Sequence, residues 1–253
     1  LSEARNKIWT NPKRLFFDRA GYTRLIQIIR KIPGIKWLYT LFWHSFARHL
    51  QRVRYSQPVV ENVNGVPLRV LPQVMPPKLF RTGAYLASIL TPELIPSGSQ
   101  ILDMGTGTGI VSIFTASRAS RVVAVDINPE AVRCTQINVT RHLLEDKIDV
   151  RHGDLFESVG AETFDRIIFN PPFLKGTPSI PFEQALYGGD TIERFCSEAK
   201  QYLKENGEIL LLLSTLAEVE QILTIARKKG FSIDLLSEKH YINESLMLYR
   251  FRP

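Results

Sequence analysis

The sequence predicts an α/β fold: a doubly wound, mostly parallel sheet of seven strands with an antiparallel pair at its C-terminal edge. Three observations predict it. From Ser99 onward, short apolar runs alternate with segments of helical spacing, the pattern of strands joined by crossover helices. Runs such as "QILDMG" and "RVVAVDI" look like buried strands, as befits a sheet covered on both faces. The last two runs are separated by a connection too short for a crossover helix, so they must pair antiparallel.

The elements follow in chain order. Residues 22–53 carry helical spacing, with Leu38, Leu41, Phe42, Phe46, Leu50 and Val53 able to share one face and Pro33-Gly34 dividing two helices. "VVENVNGVPLRVLPQV" predicts a hairpin turning at Asn64-Gly65, because both turn positions need positive φ. "MPPKLFRTGAYLASIL" is a connector and a helix. The seven strands are "QILDMG", "RVVAVDI", "KIDVRHGD", "FDRIIFN", "GEILLLLS", "FSIDLLSE" and "SLMLYRFR". Helices are expected at residues 110–117, from Asn128-Pro129 towards Arg141, and over 191–203 and 217–229. Asn128 is an N-cap and Pro129 suits a first helical position. The organisation is therefore a basic helical unit at residues 1–60, a hairpin and connector at 61–98, and an α/β domain at 99–253.

Charge sets the first unit apart. Residues 1–60 hold 12 Lys and Arg against 2 Asp and Glu, and the remainder holds 20 against 23. A basic appendage attracts nucleic acid, an acidic protein or an anionic membrane surface. Its most apolar run, "IKWLYTLFWHSFARHL", is broken by Lys36, His44 and Arg48 and is too short to span, so no integral membrane segment is expected. Cys134 and Cys196 lack metal-ligand spacing and point to a reducing, cytoplasmic setting. His44 and His49 are read as packing or surface residues, not metal ligands. Trp9, Trp37 and Trp43 are read as packing of the helical unit, and Arg227, Lys228 and Lys229 as a solvated helix end.

The chemistry lies at strand ends. The first strand runs into "DMGTGTG", where Gly105, Gly107 and Gly109 permit a tight turn and close approach of a ligand to the main chain. Asp126 ends the second strand, about 20 residues on, at the position where an acid can hold ribose hydroxyls. Asp154 ends the third, and "NPPF", Asn170 to Phe173, ends the fourth. In an open parallel sheet all four fall on the rim where ligands bind.

In that order and spacing, "DMGTGTG", "VDINPEA", "GDLF" and "NPPF" resemble the motifs of class I S-adenosylmethionine-dependent methyltransferases, whose sheet is Rossmann-like. "NPPF" resembles the motif of enzymes that methylate planar nitrogens: adenine and guanine amino methyltransferases and release-factor glutamine methyltransferases. "ALYGGD", Ala185 to Asp190, resembles a segment of the release-factor branch, with Asp190-Thr191 where that branch usually reads Asp-Gly. The resemblance implies S-adenosylmethionine as cofactor. It puts Asp103 and the loop of Gly105, Thr106, Gly107 and Gly109 around the methionine portion, Asp126 with Ile127 at the ribose, and Asp154 with Leu155 at the adenine. It makes Asn170 and the Pro171 carbonyl acceptors for the target nitrogen's hydrogens, Pro172 the stiffener of the turn, and Phe173 the ring stacked on the target plane.

The residue chemistry agrees. An amide or aromatic amine nitrogen is a poor nucleophile because its lone pair is delocalised, and two fixed acceptors on its hydrogens aim that lone pair. Proline frees carbonyls without adding donors. The expected activity is N-methylation of a protein glutamine or asparagine amide. The alternatives are a base amino group of ribosomal or transfer RNA, reached through the basic unit, and a small amide or amine metabolite. A nicotinamide dehydrogenase would require GxGxxG where this chain has GxGxG, and would leave "NPPF" without a role. A silent scaffold or a peripheral membrane protein would not need an intact "NPPF" either.

Overall fold

The protein is described from a computed structural model, over residues 53–172, 185–186 and 188–253. The helical unit expected at residues 1–60 therefore lies almost wholly outside the described residues, as does Phe173. The described chain begins with a hairpin of β1 (Val59–Val63) and β2 (Val66–Val70). Asn64 at φ 51 and Gly65 at φ 90 form its turn, the geometry that Asn-Gly favours. Two helices follow, α1 (Pro77–Phe80) and α2 (Thr82–Ile89).

The main sheet contains β3 (Gln100–Met104), β4 (Arg121–Asp126), β5 (Ile148–His152), β6 (Phe164–Phe169), β7 (Leu203–Ser214), β8 (Ser232–His240) and β9 (Ser245–Arg252), in the order β5-β4-β3-β6-β7-β9-β8. Strands β3 to β7 pair in parallel. Strand β9 runs antiparallel to both β7 and β8, so the last strand inserts itself one place inside the edge. The crossovers are α3 (Ile110–Ala116), α4 (Pro129–Arg141), α5 (Thr191–Glu198) and α6 (Val219–Lys228).

Strand residues alternate between two cores. Ile101, Val122 and Ala124 pack with α2, α3 and Val139 of α4 on one face, whereas Leu102, Val123 and Val125 pack with α5 and α6 on the other. This is why the runs are apolar at successive positions: Ile209 to Leu213 in β7 have no exposed surface at all. Asn138 of α4 ties the hairpin to the sheet. Its Oδ1 accepts from Arg69 N at 2.7 Å, while its Nδ2 donates to the carbonyls of Arg69 (2.8 Å) and Thr108 (2.9 Å).

The boundary before β7 differs from the sequence expectation. The helix expected over 191–203 closes at Glu198, passes through a single 3-10 turn at Ala199–Tyr202, and yields to β7 at Leu203. Leu203 pairs with Phe164 ahead of a register shift, and Lys204 Nζ reaches Asp165 Oδ2 at 2.8 Å. Tertiary pairing thus claims residues whose local composition suits a helix. Among the described residues, no helix is long and apolar enough to cross a membrane.

The strand order changes direction between β3 and β6: crossovers from β3 move outward to β4 and β5, and those from β6 move the other way. A crevice must open there at the carboxyl ends.

Candidate active site

The glycine loop occupies that crevice. Gly105, Gly107 and Gly109 have φ of 67°, 59° and 77°, conformations that side-chain-bearing residues rarely adopt. Gly109 also lacks room, since a Cβ there would lie 2.8 Å from Thr135 Cγ2. The amides of Gly105 and Thr106 donate to the Val125 carbonyl at 2.8 and 3.0 Å, pinning the loop across to β4.

Asp103 fastens the loop from below. It is buried, and its Oδ2 accepts from Thr106 Oγ1 (2.8 Å), Ser112 Oγ (2.6 Å) and Ser112 N (3.1 Å). Burial outweighs these donors and pushes its carboxyl up to about 6. Thr106 is itself buried by this contact. At the next strand, Asp126 accepts from Gly107 N through Oδ2 (2.8 Å) and from Asn128 N through Oδ1 (2.9 Å), and burial raises its pKa as well. Each oxygen keeps a further lone pair, so a pair of hydroxyls can still be accepted. Ile127 beside it is 44% exposed and forms an apolar lip.

Strand β6, next to β3, delivers Asn170 to the cavity. Asn170 Nδ2 donates to Thr82 Oγ1 at 3.1 Å, which fixes the amide's orientation. Its Oδ1 is buried and has no hydrogen-bond partner. A buried carbonyl oxygen left unpaired costs about 1–3 kcal/mol, so a donor brought to it would be favoured. Thr82 arrives because Arg81, at φ 64, breaks the chain direction between α1 and α2. Pro171 is buried and Pro172 partly exposed. Gly188 presses on this turn from outside, where a Cβ would overlap the Pro172 carbonyl oxygen.

Asp154 sits two residues beyond β5 rather than at its end, in the loop that Leu155 turns with φ 48. Its Oδ2 accepts from Arg194 Nη2 of α5 at 2.7 Å.

A cavity of about 330 Å³ joins these groups, within the range of small-molecule sites. Asp103, Gly105, Thr106, Gly107, Asp126, Ile127, Asp154, Leu155, Asn170 and Pro172 all line it, whereas Gly109 and Pro171 stand behind its wall. Thr82 and Arg194 carry no local sequence signal as site residues, and Gly188 carries one only through the resemblance of "ALYGGD". Thr82 and Arg194 reach the cavity only through the tertiary fold. Gly188 belongs to the "GGD" segment, whose contact with Pro172 no spacing reveals. Among the described residues, no group of three His, Cys, Asp or Glu side chains is placed to hold a metal ion.

A family model described as the methyltransferase small domain matches residues 81–233. A putative protein N5-glutamine methyltransferase from Methanocaldococcus jannaschii is 29% identical over 200 residues, covering 75% of this chain and 97% of that protein. The release factor glutamine methyltransferase of Aquifex aeolicus is 30% identical over 164 residues, covering 58% of this chain and 58% of that protein. Among solved structures, a T. thermophilus 16S rRNA N2 methyltransferase in complex with AdoMet and guanosine superposes with a TM-score of 0.59 at 23% identity. The overlap covers 78% of this chain and 50% of that one. The chain thus spans nearly all of the first relative and little more than half of the second.

Proposed function

The chain belongs to the methyltransferase small domain family as an S-adenosylmethionine-dependent N-methyltransferase, and we propose that the nitrogen it methylates is the side-chain amide of a protein glutamine. The observation that carries this reading is the buried, unpartnered Oδ1 of Asn170, a residue that lines the same cavity as the glycine loop. An amide –NH₂ is the donor such an oxygen lacks.

The residues present fit the cofactor. The left-handed glycine loop, with no side chain at Gly105 or Gly107, leaves space for the methionine portion above Asp103. The spare lone pairs of Asp126 would accept the two ribose hydroxyls beside Ile127, and Asp154 with Leu155 would face the adenine. Bound there, the sulfonium supplies an electrophilic methyl group.

The chain's task is alignment. Asn170 Oδ1 and the main-chain carbonyl of Pro171 would accept the two hydrogens of the amide, which localises the lone pair and aims it at the methyl group. Pro172 stiffens the turn, and by its place in the motif Phe173 stacks on the amide plane. Orientation of this kind supplies up to about 7–11 kcal/mol in favourable systems. The alkylated nitrogen is strongly acidic, so the proton leaves without a dedicated base. Residues 99–253 form the catalytic domain in this reading, and the basic residues 1–60 recruit the acceptor. The names of the two glutamine methyltransferases support the choice of amide.

The test is mass spectrometry of glutamine-bearing peptides incubated with protein and S-adenosylmethionine. The expected product gains one methyl group on the side-chain nitrogen. The Asn170→Ala variant is expected to lose about 10²–10³ in kcat with cofactor affinity, measured by calorimetry, unchanged. Full activity in that variant, or absence of cofactor binding to the wild type, contradicts the proposal. A second reading, methylation of an RNA base amino group, is favoured by the charge of residues 1–60. Loss of activity on ribonuclease treatment would select it.

A further inference from the structure

Asp154 is not alone at the cavity's far end. Arg194 comes from the first turns of α5, 40 residues away in sequence, and both residues line the same cavity. The ion pair uses one carboxylate oxygen, Oδ2, and one guanidinium nitrogen, Nη2. Asp154 therefore keeps Oδ1 as an acceptor, and Arg194 keeps further N–H donors in the plane of its fork. Both side chains remain partly open, Asp154 at 29% and Arg194 at 39% exposure, and both residues line the cavity. The pair presents an acceptor and a donor side by side, in fixed relative orientation. The edge of adenine presents the converse: an amino donor at C6 flanked by ring-nitrogen acceptors.

We propose that Arg194 is a specificity-determining residue of the cofactor site, reading the adenine edge jointly with Asp154. Asp154 Oδ1 accepts from the 6-amino group while an N–H of Arg194 donates to the adjacent ring nitrogen. The inference rests on the assignment of Asp154 to the adenine and adds a second contact to it. Arg194 also holds the Asp154 carboxylate in place, since rotation about its side chain would break the 2.7 Å bond. Because α5 follows directly on the segment whose Gly188 packs on Pro172, the residue that reads the cofactor stands on the same stretch of chain that braces the acceptor turn.

Replacing the 6-amino group by an oxo group inverts both partners: C6 becomes an acceptor and N1 a donor. Calorimetry with S-adenosylhomocysteine and S-inosylhomocysteine reads this inversion without any methyl transfer. The wild type is expected to prefer the adenine compound by about 10–100-fold, the worth of one good bidentate edge contact. In Arg194→Met that ratio should fall about tenfold, with the loss on the adenine side. Arg194→Lys keeps the charge and one donor but not the fork, so a purely electrostatic or structural role would be rescued by lysine and edge reading would not. Both variants should therefore discriminate poorly, and Arg194→Lys carries the test if Arg194→Met does not fold. A ratio within twofold of the wild type in both variants overturns the proposal, provided that Asp154→Asn shifts preference towards the inosine compound. If Asp154→Asn changes neither affinity, or the wild type binds neither compound, the placement of adenine at Asp154 is itself wrong and Arg194 falls with it.

Discussion

Asp103 and Asn170 line one cavity from the ends of neighbouring strands, and both hold something a folded protein ordinarily avoids. Asn170 keeps a buried oxygen without a donor. Asp103 keeps a carboxylate under the sheet's last turn, with a pKa of about 6 against an ordinary 3.8. An acid whose folded-state pKa is raised binds its proton more tightly when folded. Its contribution to stability is present in full below pH 4 and lost as pH rises through 6. A difference of about 2 units corresponds to roughly 3 kcal/mol. Asp103→Asn, a neutral stand-in, should therefore gain stability relative to the wild type as pH rises, by roughly 2–3 kcal/mol between pH 4 and 8. Urea unfolding at several pH values measures this, and a difference that does not vary with pH would show that burial does not govern Asp103. A cation beside the carboxylate would offset the same cost, which would be a physical reason for an acid to persist there if the proposed sulfonium binds above it. The identity of both residues was legible from the sequence, because each ends a strand. Their partners, Thr82 and Ser112, were not, since a hydroxyl in a helical segment carries no signal of what it faces.

At the scale of elements, the seven strands were legible because continuous apolar runs have few alternatives when helices separate them. The antiparallel pairing of β8 with β9 followed from the short connection between them. Insertion of β9 beside β7 is a matter of packing: β9 is the more apolar strand and buries Leu246 and Leu248 against the sheet, whereas β8 carries Asp234, Glu238 and Lys239 and takes the exposed edge. The start of β7 was misjudged for the same kind of reason, a tertiary pairing overriding local propensity. The segment around Gly188 shows what an element contributes beyond its own residues. Adding a methyl group to Gly188 requires the Pro172 carbonyl to move, yet the glycine loop, Asp126 and Asp154 lie on other strand ends. Gly188→Ala is therefore expected to bind S-adenosylhomocysteine within about threefold of the wild type while losing at least about tenfold in kcat, because misplacement by an ångström can cost 10²-fold. Single-turnover kinetics alongside calorimetry separates the two effects. Parallel loss of binding and turnover would mean that the segment supports the whole cavity rather than the acceptor turn.

Across the whole molecule, charge and chemistry occupy different parts of the chain. The rim that holds the cavity belongs to residues with a slight acidic excess, whereas the excess of base lies in residues 1–60. Charge that serves only to attract an acceptor can change how often it arrives but not how fast it reacts once aligned. Reversing Arg24, Arg30 and Lys31 to Glu in the full chain should therefore raise KM for the macromolecular acceptor, leave kcat within about twofold, and leave cofactor affinity unchanged. The ionic-strength profile of kcat/KM then separates the two acceptor classes. For an RNA acceptor, log affinity falls linearly with log salt at a slope of about −0.9 per phosphate contacted in a duplex, or about −0.7 in a single strand. The triple reversal should flatten that slope by two to three. For a protein glutamine the wild-type slope is expected to be shallow, because a folded acceptor offers a few dispersed carboxylates rather than a condensed counterion layer. A shallow slope together with an unchanged KM in the triple variant would remove residues 1–60 from acceptor recruitment altogether, leaving the cavity wall around Asn170 as the place where the substrate is chosen.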